Sequence, residues 1–198
     1  MQADSQNEGV TIDDCFKEFK KEEILDEDNM WYCNKCKEHV QATKQLDIFK
    51  APPIIVINLK RFKQAKQSHR YMGMFSGGGA GQKIDQLVDF PLDGLDMSKH
   101  IAGNTGGESM IYDCYAVSNH FGNMGFGHYT AYAKNPLTKI WYEFDDSRVS
   151  QVKSKEVVTQ AAYNLFYRRR DWHERNMSEG IDFDKLAIKP DMDLVNKK

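Results

Sequence analysis

The chain of 198 residues predicts an α+β fold, mainly antiparallel sheet with a few short helices. Two observations carry that expectation. Runs such as Tyr112-Asp113-Cys114-Tyr115-Ala116-Val117 and Gly127-His128-Tyr129-Thr130-Ala131-Tyr132-Ala133 alternate side chains with the two-residue period of a strand. Asn135-Pro136-Leu137-Thr138 supplies hairpin-turn chemistry between two such runs, so that Trp141-Tyr142-Glu143-Phe144 returns antiparallel to the first.

Taken in order, residues 1–10 read as a flexible terminus. Thr11 followed three residues later by Asp14 marks a helix start, with Ile12, Phe16 and Phe19 on one face. Gln41 to Phe62 is strand-like, broken by Pro52-Pro53, a pair that cannot continue a central ladder and marks a turn or an edge. Lys63 to Gln82, containing Ser76-Gly77-Gly78-Gly79-Ala80-Gly81, reads as a long mobile loop. Strand character resumes at Ile84 and again at Ile111 to Ser118, separated by a loop around Ala102 to Gly107. Lys153 to Gln160 is expected to form a short helix before a last strand ending at Arg168. Trp141 and Phe144 are assigned to the core. Residues 171–198 have little periodicity and read as an appended segment.

Composition bounds the function. With 40% hydrophobic and 28% charged residues the chain supports one ordinary globular core. A net charge of −2 gives no basic field, so no nucleic-acid partner is expected. The longest apolar run, Ile54 to Ile57, falls far short of the roughly 20 residues of a membrane helix, and the polar start is no signal peptide. A cytoplasmic or nuclear location and no membrane partner are the expectations. Four cysteines, two of them in a CxxC, fit a reducing compartment with metal chemistry better than a disulfide scaffold.

The chemistry concentrates in Ser118 to Asp146. His128 stands at a strand entrance beside Gly122, Gly125 and Gly127, and the hairpin returns Asp145 and Asp146 toward it. A carboxylate bonded to the far imidazole nitrogen fixes the tautomer and stabilises the imidazolium, as a general base requires. Neighbours on a strand point opposite ways, so only one aspartate is expected to meet the ring directly. By spacing alone, a His near a strand is more often an ordinary half-buried side chain. Cys33 and Cys36 can offer two thiolates to a tetrahedral zinc, which needs four ligands. They read as zinc ligands, with His39 as a candidate third, as a redox pair, or as inert thiols. Cys15 follows Asp13 and Asp14 on an acidic helix, which disfavours its thiolate, and Cys114 reads as a buried structural thiol. Neither is a nucleophile.

The same stretch resembles the histidine box of the ubiquitin-specific proteases, papain-like cysteine enzymes that remove ubiquitin. Other segments agree in order: Asp28 to His39 with Gln41 to Lys44, Pro52 to Phe62 as a central strand, Val88-Asp89-Phe90-Pro91, and Tyr163-Asn164-Leu165-Phe166-Tyr167. The helix at Thr11 to Phe16 and Gly94-Leu95-Asp96-Met97-Ser98 resemble the subgroup whose catalytic domain is split by an insertion. The resemblance implies that residues 11–170 form the C-terminal half of a papain-like catalytic domain, its palm and part of its fingers, with a zinc-finger half-site near 31–39. It implies a structural zinc held by Cys33 and Cys36 with a second pair upstream, and no organic cofactor. His128 matches the family's general base, Asp145 its third triad position and Asp146 an adjacent acidic position. His120, Phe121, Gly127 and Tyr129 match positions along the ubiquitin tail, and the loops after Phe62 and from Asn119 to Gly127 match those that cover it. The family's nucleophile lies in an N-terminal cysteine box that this sequence does not contain. The implied function is hydrolysis of the (iso)peptide bond after the C-terminal glycine of ubiquitin, with ubiquitin, ubiquitinated proteins and the N-terminal half-domain as partners. This segment alone is expected to be inactive. The alternative is a non-catalytic ubiquitin-binding or scaffold module; a zinc-ribbon interaction domain accounts for less of the chain.

Overall fold

The Thr11–Asp14 signal closes as a reciprocal cap. In the computed structural model, which describes residues 9–63, 82–103 and 105–178, strand Val10–Thr11 (β1) leads into helix Ile12–Phe19 (α1). Thr11 Oγ1 accepts the Asp14 N–H at 3.2 Å and the Asp14 carboxylate accepts the Thr11 N–H at 3.1 Å, satisfying donors that a first turn leaves open. Ile12 and Phe16 are buried. Phe19, expected on the same face, is half exposed in a surface groove with Leu46. His100 clamps the helix from outside, pairing with Asp13 at 2.7 Å and stacking on Phe16 at 4.5 Å. Most of the flexible terminus read at 1–10, the glycine-rich loop (64–81) and the appended segment beyond Ser178 lie outside the described residues.

The next strands are short. Glu23–Ile24 (β2), Trp31–Cys33 (β3), Glu38–Val40 (β4) and Thr43–Lys44 (β5) make two small antiparallel ribbons, β2 with β5 and β3 with β4. Ile54–Asn58 (β6) and Phe62–Lys63 (β7) follow, then Gln82–Lys83 (β8), which pairs with β7, and Val88–Asp89 (β9), which lies parallel to β1. The strand expected from Ile84 is not there. Buried Arg61 takes those carbonyls instead, donating through Nη1 to Ile84 and Gln86 at 2.9 and 2.8 Å, and through Nε to Ala162 at 2.7 Å. Carbonyls bound by a guanidinium are already satisfied without a strand partner.

The main sheet comes from Leu95–Asp96 (β10), Ile111–Gly122 (β11), Gly127–Lys134 (β12), Trp141–Asp145 (β13), Arg148–Val152 (β14) and Ala162–Arg169 (β15), and helix Arg170–Ser178 (α2) follows. Its order is β14-β13-β12-β11-β15-β6, with β10 on the start of β11 and every pairing antiparallel. Among the described residues β6, read as a central strand, is the last strand of the sheet, and Ile54 and Val56 are exposed. The prolines before it still bond, since Pro52 O accepts the Tyr112 hydroxyl at 2.6 Å and Pro53 O the Arg169 N–H at 2.7 Å.

Tyr112, Val117, Leu165, Tyr167 and Val157 are fully buried and form the centre of the core. Trp141 joins them, but Phe144 is exposed. The two are three residues apart on one strand and so face opposite sides, which forbids a shared core. The helix expected over Lys153 to Gln160 shrinks to a 3₁₀ turn at Ser154–Glu156, because Val157-Val158-Thr159 is β-branched and disfavours further helix. Arg170 pairs with Asp113 and Arg169 with Asp171, tying α2 to the sheet. No helix among the described residues is long and apolar enough to cross a membrane.

Leu165→Ala should destabilise the fold by about 2–5 kcal/mol, the usual cost of an unfilled core site. Val149→Ala on the exposed face should stay within about 1 kcal/mol. Urea unfolding of the two variants reads the difference.

Candidate active site

A four-residue turn delivers the site. β11 and β12 pair through Phe121 opposite His128 and Gly122 opposite Gly127, so Asn119–Gly122, expected in a loop, is strand, and only 123–126 turn. Asn123 organises that turn: its Oδ1 accepts the N–H groups of Gly125 and Phe126, both at 3.0 Å. Gly122 has φ +99°, and a Cβ there would stand 2.4 Å from Phe126 O. Only glycine fits the corner.

His128 and Asp145 meet across β12 and β13. Ala131 is opposite Phe144, and carrying that register one step on sets Asp145 beside Thr130, on the face of His128 and diagonal to it. The imidazole Nε2 lies 2.6 Å from Asp145 Oδ1. With the carboxylate ionised, Nε2 carries the proton and donates, which leaves Nδ1 as the nitrogen not bound by Asp145. Asp145 Oδ2 accepts from Arg148 Nη2 at 2.6 Å. Asp146 sits in the two-residue turn before β14 with φ +49°, which aspartate tolerates better than most residues. That bend keeps its carboxylate near: ligand-type atoms of His128, Asp145 and Asp146 all lie within 4.8 Å of one another. The hydrogen bond to Asp145 raises the His128 pKa, with the charges of Asp145 and Asp146 adding to it. His128 and Arg148 together hold the Asp145 pKa down.

A second histidine–aspartate pair shows what is distinctive here. His100 and Asp13 bond at 2.7 Å, but the His100 side chain is only 5% exposed, whereas that of His128 is 49% exposed. The first is a clamp inside the fold. The second is open to solvent.

The other face of the hairpin is aromatic. His120 is buried with its ring 4.7 Å from Tyr129, 5.4 Å from Phe62 and 5.8 Å from Tyr163. Burial, then the charge of Lys83, lowers its pKa. A Cβ on Gly127 would stand 2.2 Å from His120 Nε2, so the backbone just before His128 rests on the His120 ring. Phe121 and Tyr129 are exposed. Of the four residues assigned to the ubiquitin tail, two thus reach the surface, Gly127 presents backbone and His120 lies beneath.

The cysteines are dispersed. Cys33 ends β3 and Cys36 lies in the turn to β4, where Lys37 has φ +62° and donates to Cys33 O at 2.8 Å. The amides of Cys36 and Lys35 hold the Cys33 thiol below its ordinary pKa, a donor set suited to a metal-bound thiolate. His39 pairs with Tyr32, one residue from the Cys33–Glu38 pair, and therefore projects from the opposite face of the ribbon. That parity argues against His39 as a third ligand beside Cys33. Burial pushes the Cys114 thiol up to about 12, and burial and Asp14 raise that of Cys15.

Comparison with known proteins places this geometry. Residues 11–167 match the sequence profile of the ubiquitin carboxyl-terminal hydrolases. The chain belongs to the ubiquitin carboxyl-terminal hydrolase family. It is 47% identical over 186 residues to ubiquitin carboxyl-terminal hydrolase 10 of Arabidopsis thaliana, covering 92% of this chain and 19% of that one. It is 46% identical over 162 residues to ubiquitin carboxyl-terminal hydrolase 15 of Homo sapiens, covering 82% and 15%. Among solved structures it resembles a chain of the SAGA Ubp8/Sgf11/Sus1/Sgf73 DUB module bound to ubiquitin aldehyde, with TM-score 0.62, 29% identity, 83% of this chain covered and 34% of that chain. The chain thus spans less than a fifth of these curated relatives and about a third of the solved one.

Within this hydrolase family the sequence pattern pointed to His128 and Asp145 but passed over Arg148. The signal for it was the spacing Asp145-Asp146-Ser147-Arg148, a two-residue turn that sets Arg148 directly opposite Asp145. Arg61, which fixes the segment after β8, gave no pattern at all.

The raised His128 pKa stabilises the fold fully below the unfolded His value, and this is lost as pH rises through the folded value. The depressed Asp145 pKa stabilises fully above the unfolded carboxylate value, and this is lost as pH falls through the folded one. The stability difference between the native chain and His128→Ala should therefore be largest between about pH 4 and 6.5, the unperturbed Asp and His values. Urea titrations across pH 3–9 check it; a flat difference would exclude a charged pair.

Proposed function

We propose that this chain is the base-bearing part of a thiol-dependent deubiquitinase that cleaves the (iso)peptide bond after the C-terminal glycine of ubiquitin. The observation that carries the reading is an exposed imidazole bonded to a carboxylate at 2.6 Å through Nε2, in a chain of this family. His128 Nδ1 would take the proton of a cysteine thiol. The thiolate attacks the carbonyl carbon, the imidazolium returns the proton to the leaving amine, and His128 then activates the water that breaks the thioester. Asp145 orients the ring throughout, and the Asp146 charge favours the imidazolium.

The thiol would come from outside this sequence. Cys114 is buried in β11, Cys15 is on α1, and Cys33 and Cys36 are in the β3–β4 ribbon. A partner half-domain has a seat: an open, mainly apolar pocket of about 800 Å³ lined by Ile12, Phe16, Val56, Ile57, Leu59 and Val88, beside the edge strand β6. The substrate side is the hairpin tip. Phe121 and Tyr129 offer exposed rings, and the backbone of Gly127 is exposed beside them. That the related Ubp8 module is seen with ubiquitin aldehyde supports this substrate. Cys33 and Cys36 fit half of a structural zinc site, which would brace the ribbons and take no part in the reaction.

Two experiments test the reading. A protein joining this chain to a cysteine-bearing first half should cleave a fluorogenic ubiquitin C-terminal amide, and His128→Ala should lower kcat by about 10²-fold or more, the scale of general acid–base catalysis. This chain alone should be inactive. Ubiquitin binding without cleavage in the joined protein would replace the enzyme with a binding scaffold. Metal analysis of the joined protein should find one zinc per chain, lost in Cys33→Ser; an unchanged content would remove the ribbon from the metal site.

A further inference from the structure

Asp145 has two oxygens, and each has its own partner. Oδ1 faces His128 Nε2 at 2.6 Å and Oδ2 faces Arg148 Nη2 at 2.6 Å. Arg148 is the direct cross-strand partner of Asp145, so the two side chains share a face. The carboxylate side chain is 24% exposed and that of the arginine 78% exposed. An exposed ion pair of this kind adds little to stability, and its value lies elsewhere.

We propose that Arg148 is a positioning residue for His128 that acts through Asp145: by holding Oδ2 it leaves Oδ1 turned to the imidazole and offsets the carboxylate charge that the ring feels. A carboxylate held at one oxygen only can turn about its last torsion, and the His128 bond is then made part of the time. The charge-assisted contact of Arg148 Nη2 with Oδ2 restrains that turn. The charge balance matters for the reaction too. His128 must accept a proton and then surrender it to the leaving amine. Asp145 from β13 and Asp146 from the turn favour the imidazolium, β11 sets uncharged Phe121 opposite the ring, and Arg148 from β14 is the cation next to the pair. Asp145 holds the Arg148 pKa above its ordinary value, as an engaged pair requires.

The importance for hydrolysis rests on His128 being the base, as proposed above, but the test does not. His128 is titrated by nitrogen-resolved NMR in the 198-residue chain, native and with Arg148→Ala or Arg148→Lys. Arg148→Ala should speed exchange of the Nε2 proton, and at low salt the lost positive charge should offset the downward pull of the loosened hydrogen bond on the His128 midpoint. Near 0.5 M salt, where exposed charges are screened, the loosened hydrogen bond should leave the Arg148→Ala midpoint below the native one. Arg148→Lys, which keeps the charge and can make the same single contact, should bring the midpoint and the slow proton back toward native. Melting temperatures should be unchanged, so that a folding defect is not the cause. An Nε2 proton that exchanges no faster in Arg148→Ala overturns the proposal. An unchanged Nε2 exchange rate beside an active joined enzyme removes Arg148 alone, and an inactive joined enzyme removes the catalytic reading while leaving the positioning result standing.

Discussion

Strand β11 is the constraint on which everything else depends. It is bonded along both flanks, to β12 on one side and β15 on the other, with β10 at its start. Its inward side chains Tyr112, Cys114, Val117 and Asn119 are all within 1% of full burial. A strand so enclosed cannot shift by one residue without exchanging its buried and exposed faces. Because β11 ends at Gly122 and turns through four residues to Gly127, its register also determines which way His128 points.

The hairpin divides its labour between faces. One carries a polar row across four strands: Asn119, Thr130, Asp145 and Arg148, with His128 beside it. The Asn119 amide donates to Thr130 Oγ1 at 3.3 Å, and its Oδ1 finds no partner among the described residues. The opposite face packs His120 among Phe62, Tyr129 and Tyr163. A buried ring whose pKa is lowered thus supports the chain beneath an exposed one whose pKa is raised, and two histidines eight positions apart take opposite roles because they face opposite sides.

Much of this was legible because it is local. The Thr11–Asp14 cap, the turn at Asn135 and the return of Asp145 toward His128 follow from spacings within a few residues of a turn, where side-chain period and turn chemistry decide. The misreadings are of another kind. Nothing in Ile84–Leu87 announces that Arg61 will bind its carbonyls, and a run as apolar as Ile54–Ile57 looks the same at a sheet's edge as at its centre. Phe144 was misassigned through parity, which the sequence contained. Arg148 was missed because its importance depends on a turn of two residues, and the positive φ at Asp146 that permits it has no signature beyond the residue type.

That turn also acts as a spacer of fixed length. One residue added between Asp145 and Arg148 would leave the two strands able to pair but would rotate every β14 side chain to the reverse face. Arginine would then leave the carboxylate while the core, which β14 scarcely enters, would hardly register the change. Length variation among natural versions of this protein should be tolerated at the loop around Gly106 and be nearly absent between 145 and 148. The intolerance would arise from the site and not from folding.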